Sequence, residues 1–404
     1  MASWDRHAPG RFAVDDAALV DFARALAMTP SRSGTEEAAV ELCADRFRAL
    51  GFDHVEIDDV GNAIGVMGSG DGPRLLIDGH VDSIPLHSAE RWTVDPFGAQ
   101  IIDGRLYGLG ICDQKGSIAA AAHGIGAART ACGEFAGTVA LIASVSEEEL
   151  EGAALAGFAE LFRPDFAITS EPSDTRLCTG QRGRAKVEVT VTGRACHAGH
   201  RSQGVNAVEA LAAIVVEVAG LGHPVHEHLG TRDITCIDLA SHPYPSVSTV
   251  PGRATARFDC RFLPGETAES LVAEIGACAQ RALTGWGERP GVEVALVRAD
   301  FRTWRGTTFS RSEFEPAWWT DEDSALVREA AAGLASVGVD GTPTHYSFCT
   351  NGSYLAGELG VPTVGFGVGL EHVAHQVDEY ITLDSLRRGA RGFAAICAQL
   401  VAAR

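Results

Sequence analysis

Three short apolar runs in this chain each end in residues that can hold a metal ion, and that rhythm restricts the possible folds more than any other feature. Leu75-Leu76-Ile77 stops at Asp78-Gly79 and leads into His80-Val81-Asp82. Thr138–Val145 runs straight into Ser146-Glu147-Glu148-Glu149, and Asp165–Thr169 runs into Ser170-Glu171-Pro172. Apolar runs of this length, bounded by turn residues, read as buried strands. In open α/β sheets, sites form outside the carboxyl ends of the strands. His80 and Asp82 alternate with Val81, so they leave their strand end on one side. Asp113 follows in a glycine-flanked loop, Gly108-Leu109-Gly110-Ile111-Cys112-Asp113-Gln114-Lys115-Gly116. An imidazole and carboxylates gathered this way suggest a divalent metal site. A ligating imidazole usually passes its other N–H to a carboxylate, and Asp82 is placed for that.

The remaining chain divides around these runs. At 404 residues, two domains are expected. Helical spacing covers Asp15 to Leu26 and Thr35 to Leu50, with strands at Val55–Asp58 and Ala63–Val66 around a Gly61-Asn62 turn. A helix follows from Ser117 to about Arg129. After Gln181-Arg182 the pattern changes: strand Lys186–Val191, helix Asn206–Val218, strand-rich Ser246–Phe262, helix Glu266–Leu283 and strand Val292–Val297. That is a βαββαβ order, read as a small α+β insertion over 183–300 between a first part, 1–182, and a second, 301–404. Helices at Glu322–Ala335 and Leu383–Ala402, a helical Ser353–Leu359 and a strand at Pro362–Gly367 complete the chain. The polar segment Glu371–Glu379 between them holds His372 and His375.

Charge excludes some functions. With 33 basic against 53 acidic residues, net −20, the chain lacks the basic face that nucleic acid requires and is unsuited to an anionic membrane surface. An N-terminus without an apolar h-region and the absence of a run of about 18 apolar residues lead us to expect a cytoplasmic protein. The ten cysteines include no Cys-x-x-Cys pair and read as reduced, mostly buried thiols. Cys112 beside Asp113 reads as core packing.

Taken in order, His80-Val81-Asp82, the 108–116 loop, Glu147-Glu148, Ser170-Glu171-Pro172 and His375-Gln376-Val377-Asp378-Glu379 resemble the zinc aminoacylase/carboxypeptidase-G family. That family includes acetylornithine deacetylase and succinyl-diaminopimelate desuccinylase. GQRGRAKVEV, TNGSYLAG and AHQVDEY look most like the branch labelled selenium-metabolism hydrolases. The resemblance covers nearly the whole chain. It implies a zinc-exopeptidase-like α/β domain with a mixed, mainly parallel sheet, interrupted by a lid that usually dimerises. It implies two Zn²⁺ ions, with Co²⁺ or Mn²⁺ possible, sharing Asp113. His80 and Glu171 would complete one site, Glu148 and His375 the other. Glu147 would be the general base, and the Asp113–Gln114 peptide is expected to be cis. His197, in Ala195-Cys196-His197-Ala198-Gly199, resembles the lid histidine that stabilises the oxyanion across the dimer.

Alternatives remain at this level. Glu149 allows a register in which Glu148 is the base and Glu149 the ligand. His223, His226 and His228 with Glu227 resemble a metal cluster but lie in a proline-containing polar stretch, read as a solvated loop. Arg182, Arg184, Arg194, Arg201 and Arg261 are candidates for a substrate carboxylate, most of them read as surface or fold-supporting. Two stretches depart from the family: Ser248-Thr249-Val250-Pro251, where asparagine is usual, and Cys349-Thr350-Asn351-Gly352-Ser353, where Gly-Gly-Thr-Asp is usual. The expected activity is cleavage of an amide, peptide or ureido bond in a small polar substrate. The competing expectations are a metal-dependent exopeptidase and a metal-binding scaffold without turnover.

Overall fold

The computed structural model describes residues 12–402. The chain folds as two compact units, one of residues up to Gln181 with Asp300–Phe309 and Trp319 onward, the other of Arg182–Ala299 with Ser310–Trp318.

The first unit is built on a mixed sheet whose strands run in the order His54–Ile57, Ala63–Met67, Thr138–Ser144, Arg74–His80, Phe166–Thr169, Thr363–Gly365, Leu177–Gln181. Arg74–His80 is parallel to both its neighbours, pairing His80 with Ser144 and Asp78 with Thr169. Three carboxyl ends therefore lie side by side. From Leu75 onward Arg74–His80 is wholly buried, and so is Thr138–Ser144 beyond Thr138. Burial on both faces suits continuous apolar runs. One face is covered by Gly116–Cys132 and Leu383–Val401, whose close approach depends on small residues. A Cβ at Gly124 would lie 2.5 Å from the Ala390 carbonyl oxygen, so a larger residue there would push the helices apart. Asp15 caps the helix Asp16–Met28 by accepting from Ala17 and Ala18 N–H, which satisfies donors that a helix start leaves open. Among the described residues no helix is long and apolar enough to cross a membrane.

The second unit has the βαββαβ order. Its antiparallel strands run Asp233–His242, Arg253–Phe262, Gly183–Thr192, Gly291–Leu296 across the sheet. Gly183–Thr192 alternates buried and half-buried residues almost throughout, the period of a sheet with one covered face. Ala207–Ala219 and Ala268–Ala282 supply Leu211, Ile214, Leu271 and Ile275 to its core. Asn206 caps the first helix, and Thr267 with Ser270 forms a capping box on the second.

Several strands lie outside the sequence expectations, Asp233–His242 and Leu177–Gln181 among them. Asp233–His242 is the second long strand of this unit, while Ser246–Phe262 supplies one long strand and a two-residue one, Thr249–Val250. It is an outer strand, with Ile237 and Leu239 each 53% exposed, so its apolar residues do not mark a buried face. Leu177–Gln181 is fully buried but has a Cys-Thr-Gly centre with no strong apolar pattern.

Candidate metal centre

All seven proposed site residues of the first unit meet at the carboxyl ends of its sheet. His80 ends its strand with a 1% exposed side chain. Its Nε2 lies 3.1 Å from Asp113 Oδ1, 3.8 Å from Glu147 Oε2 and 3.8 Å from Glu171 Oε1. The other Asp113 oxygen, Oδ2, lies 3.2 Å from His375 Nε2, which is also 2.9 Å from Glu148 Oε1. One carboxylate thus faces two imidazoles, one through each oxygen. Potential ligand atoms of His80, Glu147 and Glu171, and likewise of His80, Asp113 and Glu148, lie within 4.8 Å of one another. Glu149 is exposed and enters neither group.

Asp82 departs from the simple picture of an imidazole handing its proton to a carboxylate. His80 Nδ1 lies 3.0 Å from the Asp82 backbone oxygen and 3.5 Å from the carboxylate. The fully buried Asp82 carboxylate instead accepts from Glu147 N–H, Glu148 N–H and the Ser33 hydroxyl. It holds the turn that presents the two glutamates. Glu36 acts from the opposite side, accepting from Ser146 N–H and Oγ, where Ser146 takes a left-handed φ of 62°.

The Asp113 loop is tied down by a residue that sequence reading included in a motif but gave no task. Glu379 is buried, and its carboxylate accepts from Gly110 N–H at 2.9 Å, Cys112 N–H at 2.7 Å and Asp113 N–H at 3.1 Å. The Asp113–Gln114 peptide is cis. Gln114 Oε1 accepts from Ser170 Oγ at 2.6 Å, which links this loop to the Glu171 strand end. Lys115, fully buried, donates from Nζ to the Thr29 carbonyl. His375 and Asp378 both have positive φ, near 60°, costly for residues with a Cβ. Asp378 fixes that turn by accepting from Thr93 N–H and Oγ1. Buried Asn351, in the departing stretch, donates to Asp78 at 2.8 Å and accepts from Gly152 N–H, so it supports the sheet below His80. Isolated buried polar residues carry no periodic signature, which is why only the folded chain reveals these tasks.

The electrostatics point the same way. Burial raises the carboxyls of Glu147, Glu171 and Glu148 above their ordinary range. Burial also works against Asp113, but hydrogen bonds from His375 and His80 outweigh it and hold its carboxyl low. Burial opposes charge on His80, yet Glu147, Asp113, Asp82 and Glu171 together push it well up. Hydrogen bonds to Asp113 and Glu148 raise His375 to about 11. The two imidazoles are pushed toward their charged form and Asp113 is held ionised, while burial opposes charge on the three glutamates, a penalty that positive charge among them would relieve. Glu147 Oε1 and Glu171 Oε1 are buried without a hydrogen-bond partner, a costly condition for carboxylate oxygens. Imidazole nitrogens and carboxylate oxygens suit divalent ions of the zinc, cobalt and manganese type. No thiolate is involved, because Cys112 Sγ turns to the Leu370 carbonyl. The residues present therefore fit divalent metal.

In the second unit, His197 lies on the short strand Cys196–His197, exposed, with Nδ1 accepting from Gly199 N–H. His226 Nδ1 accepts from His228 and Leu229 N–H in a small hairpin, and His223 Nδ1 lies 3.0 Å from the Arg232 carbonyl. These histidines form no candidate metal group among the described residues. Arg182, Arg184, Arg194, Arg201 and Arg261 pair with Asp233, Glu315, Glu288, Glu209 and Asp259. They support the unit's own surface.

Residues 76–399 match the model of peptidase family M20/M25/M40. The protein YgeY of Escherichia coli is 30% identical over 389 residues, spanning 94% of this chain and 93% of that protein. A succinyl-diaminopimelate desuccinylase of Phenylobacterium zucineum is 27% identical over 402 residues, spanning 95% and 98%. Among solved structures, the Bacillus subtilis YXEP protein, a dinuclear metal-binding peptidase of family M20, superposes with a TM-score of 0.72 at 13% identity, covering 95% of this chain and 97% of that one.

Proposed function

Starting from the fact that this chain belongs to peptidase family M20/M25/M40 and is a metal-dependent amidohydrolase acting on small molecules, we propose that it is a dinuclear zinc hydrolase. Its substrates are N-acyl amino acids, dipeptides or related ureido compounds. The observation that carries this reading is Asp113, which offers one oxygen toward each of two imidazoles. His80 and Glu171 would hold one ion, Glu148 and His375 the other, and Asp113 both. When bound, such ions polarise an amide carbonyl and lower the pKa of a water.

The chain's own part is orientation and proton transfer. Glu147 follows a residue with a left-handed φ, on a turn held by Asp82, and its Oε1 has no hydrogen-bond partner. It takes a proton on that oxygen from the water that attacks the carbonyl, then gives it to the amine nitrogen as the C–N bond breaks. Burial raises the affinity of Glu147 for that proton, which suits a group that must both accept and donate it. The second unit serves as a lid through which two copies pair. His197 offers a donor to the developing oxyanion, and the protein works in the cytoplasm.

The test combines metal analysis with turnover of a panel of N-acyl amino acids and dipeptides. Two equivalents of zinc and measurable hydrolysis are expected. Glu147→Gln should keep the metal and lose about 10³-fold in kcat, within the range of general-base effects. Equal rates for wild type and variant on every substrate would favour a metal-binding scaffold. Cleavage confined to dipeptides would favour the exopeptidase reading, which the peptidase relatives make the main competitor.

A further inference from the structure

Beside His375 the first unit contains a cavity of about 310 Å³, near the lower end of ligand-pocket volumes. Ile84, His87, Ser88, Arg91 and Trp92 line it from one segment, His375, Gln376 and Val377 from another, with Leu109 between the two in sequence. Its charged or chargeable lining groups are His87, Arg91 and His375, and the lining contains no aspartate or glutamate. That composition opposes the chain as a whole, with 53 acidic and 33 basic residues. Asp378, next along the chain, is occupied by Thr93 N–H and Oγ1. Ser88 has a left-handed φ of 51° and accepts from Arg91 N–H, closing a short helical turn. His87 precedes this turn, Arg91 ends it, and both line the cavity. The Arg91 side chain is exposed and makes no salt bridge among the described residues. Trp92 and buried Leu109 give the cavity apolar wall. In an acidic protein, a hollow with only basic charge, opening on a proposed metal ligand, is arranged for an anion.

We propose that this cavity is a specificity subsite for a carboxylate carried by the substrate, so that the enzyme selects amides bearing an acidic side group. Arg91 binds the carboxylate with its forked pair of N–H donors, and His87 adds a further donor. Trp92 and Leu109 pack the short methylene stem. The inference rests on the hydrolase reading above and narrows it to acidic substrates.

The experiment compares N-acetylglutamate with its neutral isostere N-acetylglutamine, on metal-loaded full-length wild type, Arg91→Leu and Arg91→Glu. Wild type should prefer the acid by about tenfold or more in kcat/KM, about 1.4 kcal/mol, mostly through KM. The preference should fall to near unity in Arg91→Leu and invert in Arg91→Glu. A wild-type ratio near one, or a ratio that Arg91→Leu leaves unchanged, overturns the subsite. If wild type cleaves neither amide, the hydrolase reading fails for these substrates, and calorimetric binding of the same two compounds still decides the subsite. Tighter binding of the acid that is lost in Arg91→Leu upholds it, and equal affinities overturn it.

Discussion

The two units bury charge in opposite ways. The second unit has an apolar core, and its buried charged groups are paired: Arg232 with Glu266 and Glu274, Glu315 with Arg184. The first unit buries His80, Asp82, Asp113, Glu147 and Glu171 in one place, with Glu36, Asp78, Lys115 and Glu379 close behind in the same unit. Stability alone does not explain that crowding, because desolvating a charge costs several kcal/mol and a buried pair often repays no more than that. The difference teaches that the location of buried charge, more than its amount, separates a functional centre from a scaffold.

Breaking the crowded centre should have the largest effect. Asp113→Asn removes the charge that faces both imidazoles, and should lower turnover by at least about 10³-fold with loss of metal, read by metal analysis and kinetics. His197→Ala touches the other unit and should reduce kcat by about 10²-fold or more with metal content unchanged. Full activity in that variant would remove the proposed role.

Glu379→Gln sharpens the contrast further. Glutamine keeps one carbonyl acceptor for the three backbone N–H groups and puts a donor where the second oxygen was. Metal affinity should fall about 10–100-fold, as for other groups that orient ligands, while Glu379→Asp restores part of it. A loss of melting temperature without a change in metal affinity would make Glu379 merely structural.

The smallest effect concerns a buried base outside the centre. His123 is 4% exposed and its Nε2 has no hydrogen-bond partner. Burial lowers its pKa to about 4, whereas an unfolded histidine titrates near 6.5. Between those values the unfolded chain holds more protons, so stability is full above pH 6.5 and declines as pH falls toward 4. The expected loss is about 1–3 kcal/mol, measured by urea unfolding at pH 7 and pH 5. His123→Leu should flatten that part of the curve; an unchanged slope would assign the acid sensitivity to other groups.

Much of this molecule was legible in the linear chain because its strongest signals are local. Apolar runs form strands wherever they lie, and a ligand placed just after each run must emerge at a strand end. The βαββαβ order of the insertion was legible from periodicity, apart from Asp233–His242, an outer strand that leaves Ile237 and Leu239 exposed and only half-buries Ile234 and Cys236. Glu147 and Glu148, and not Glu149, stand in the centre because the turn at Ser146 is held by Glu36 and Asp82, residues 110 and 65 positions or so away.

The sequence by itself determined the strand ends and the residue types that stand there, since both follow from short-range spacing and the pleat. Only the tertiary structure decided which carboxylate faces both imidazoles, that Asp82 holds backbone N–H groups, that Glu379 ties down the Asp113 loop, and that His87 and Arg91 share a hollow with His375. These are partnerships between distant segments. A buried polar group selects its partner by distance and direction in the folded chain, and a linear pattern encodes neither.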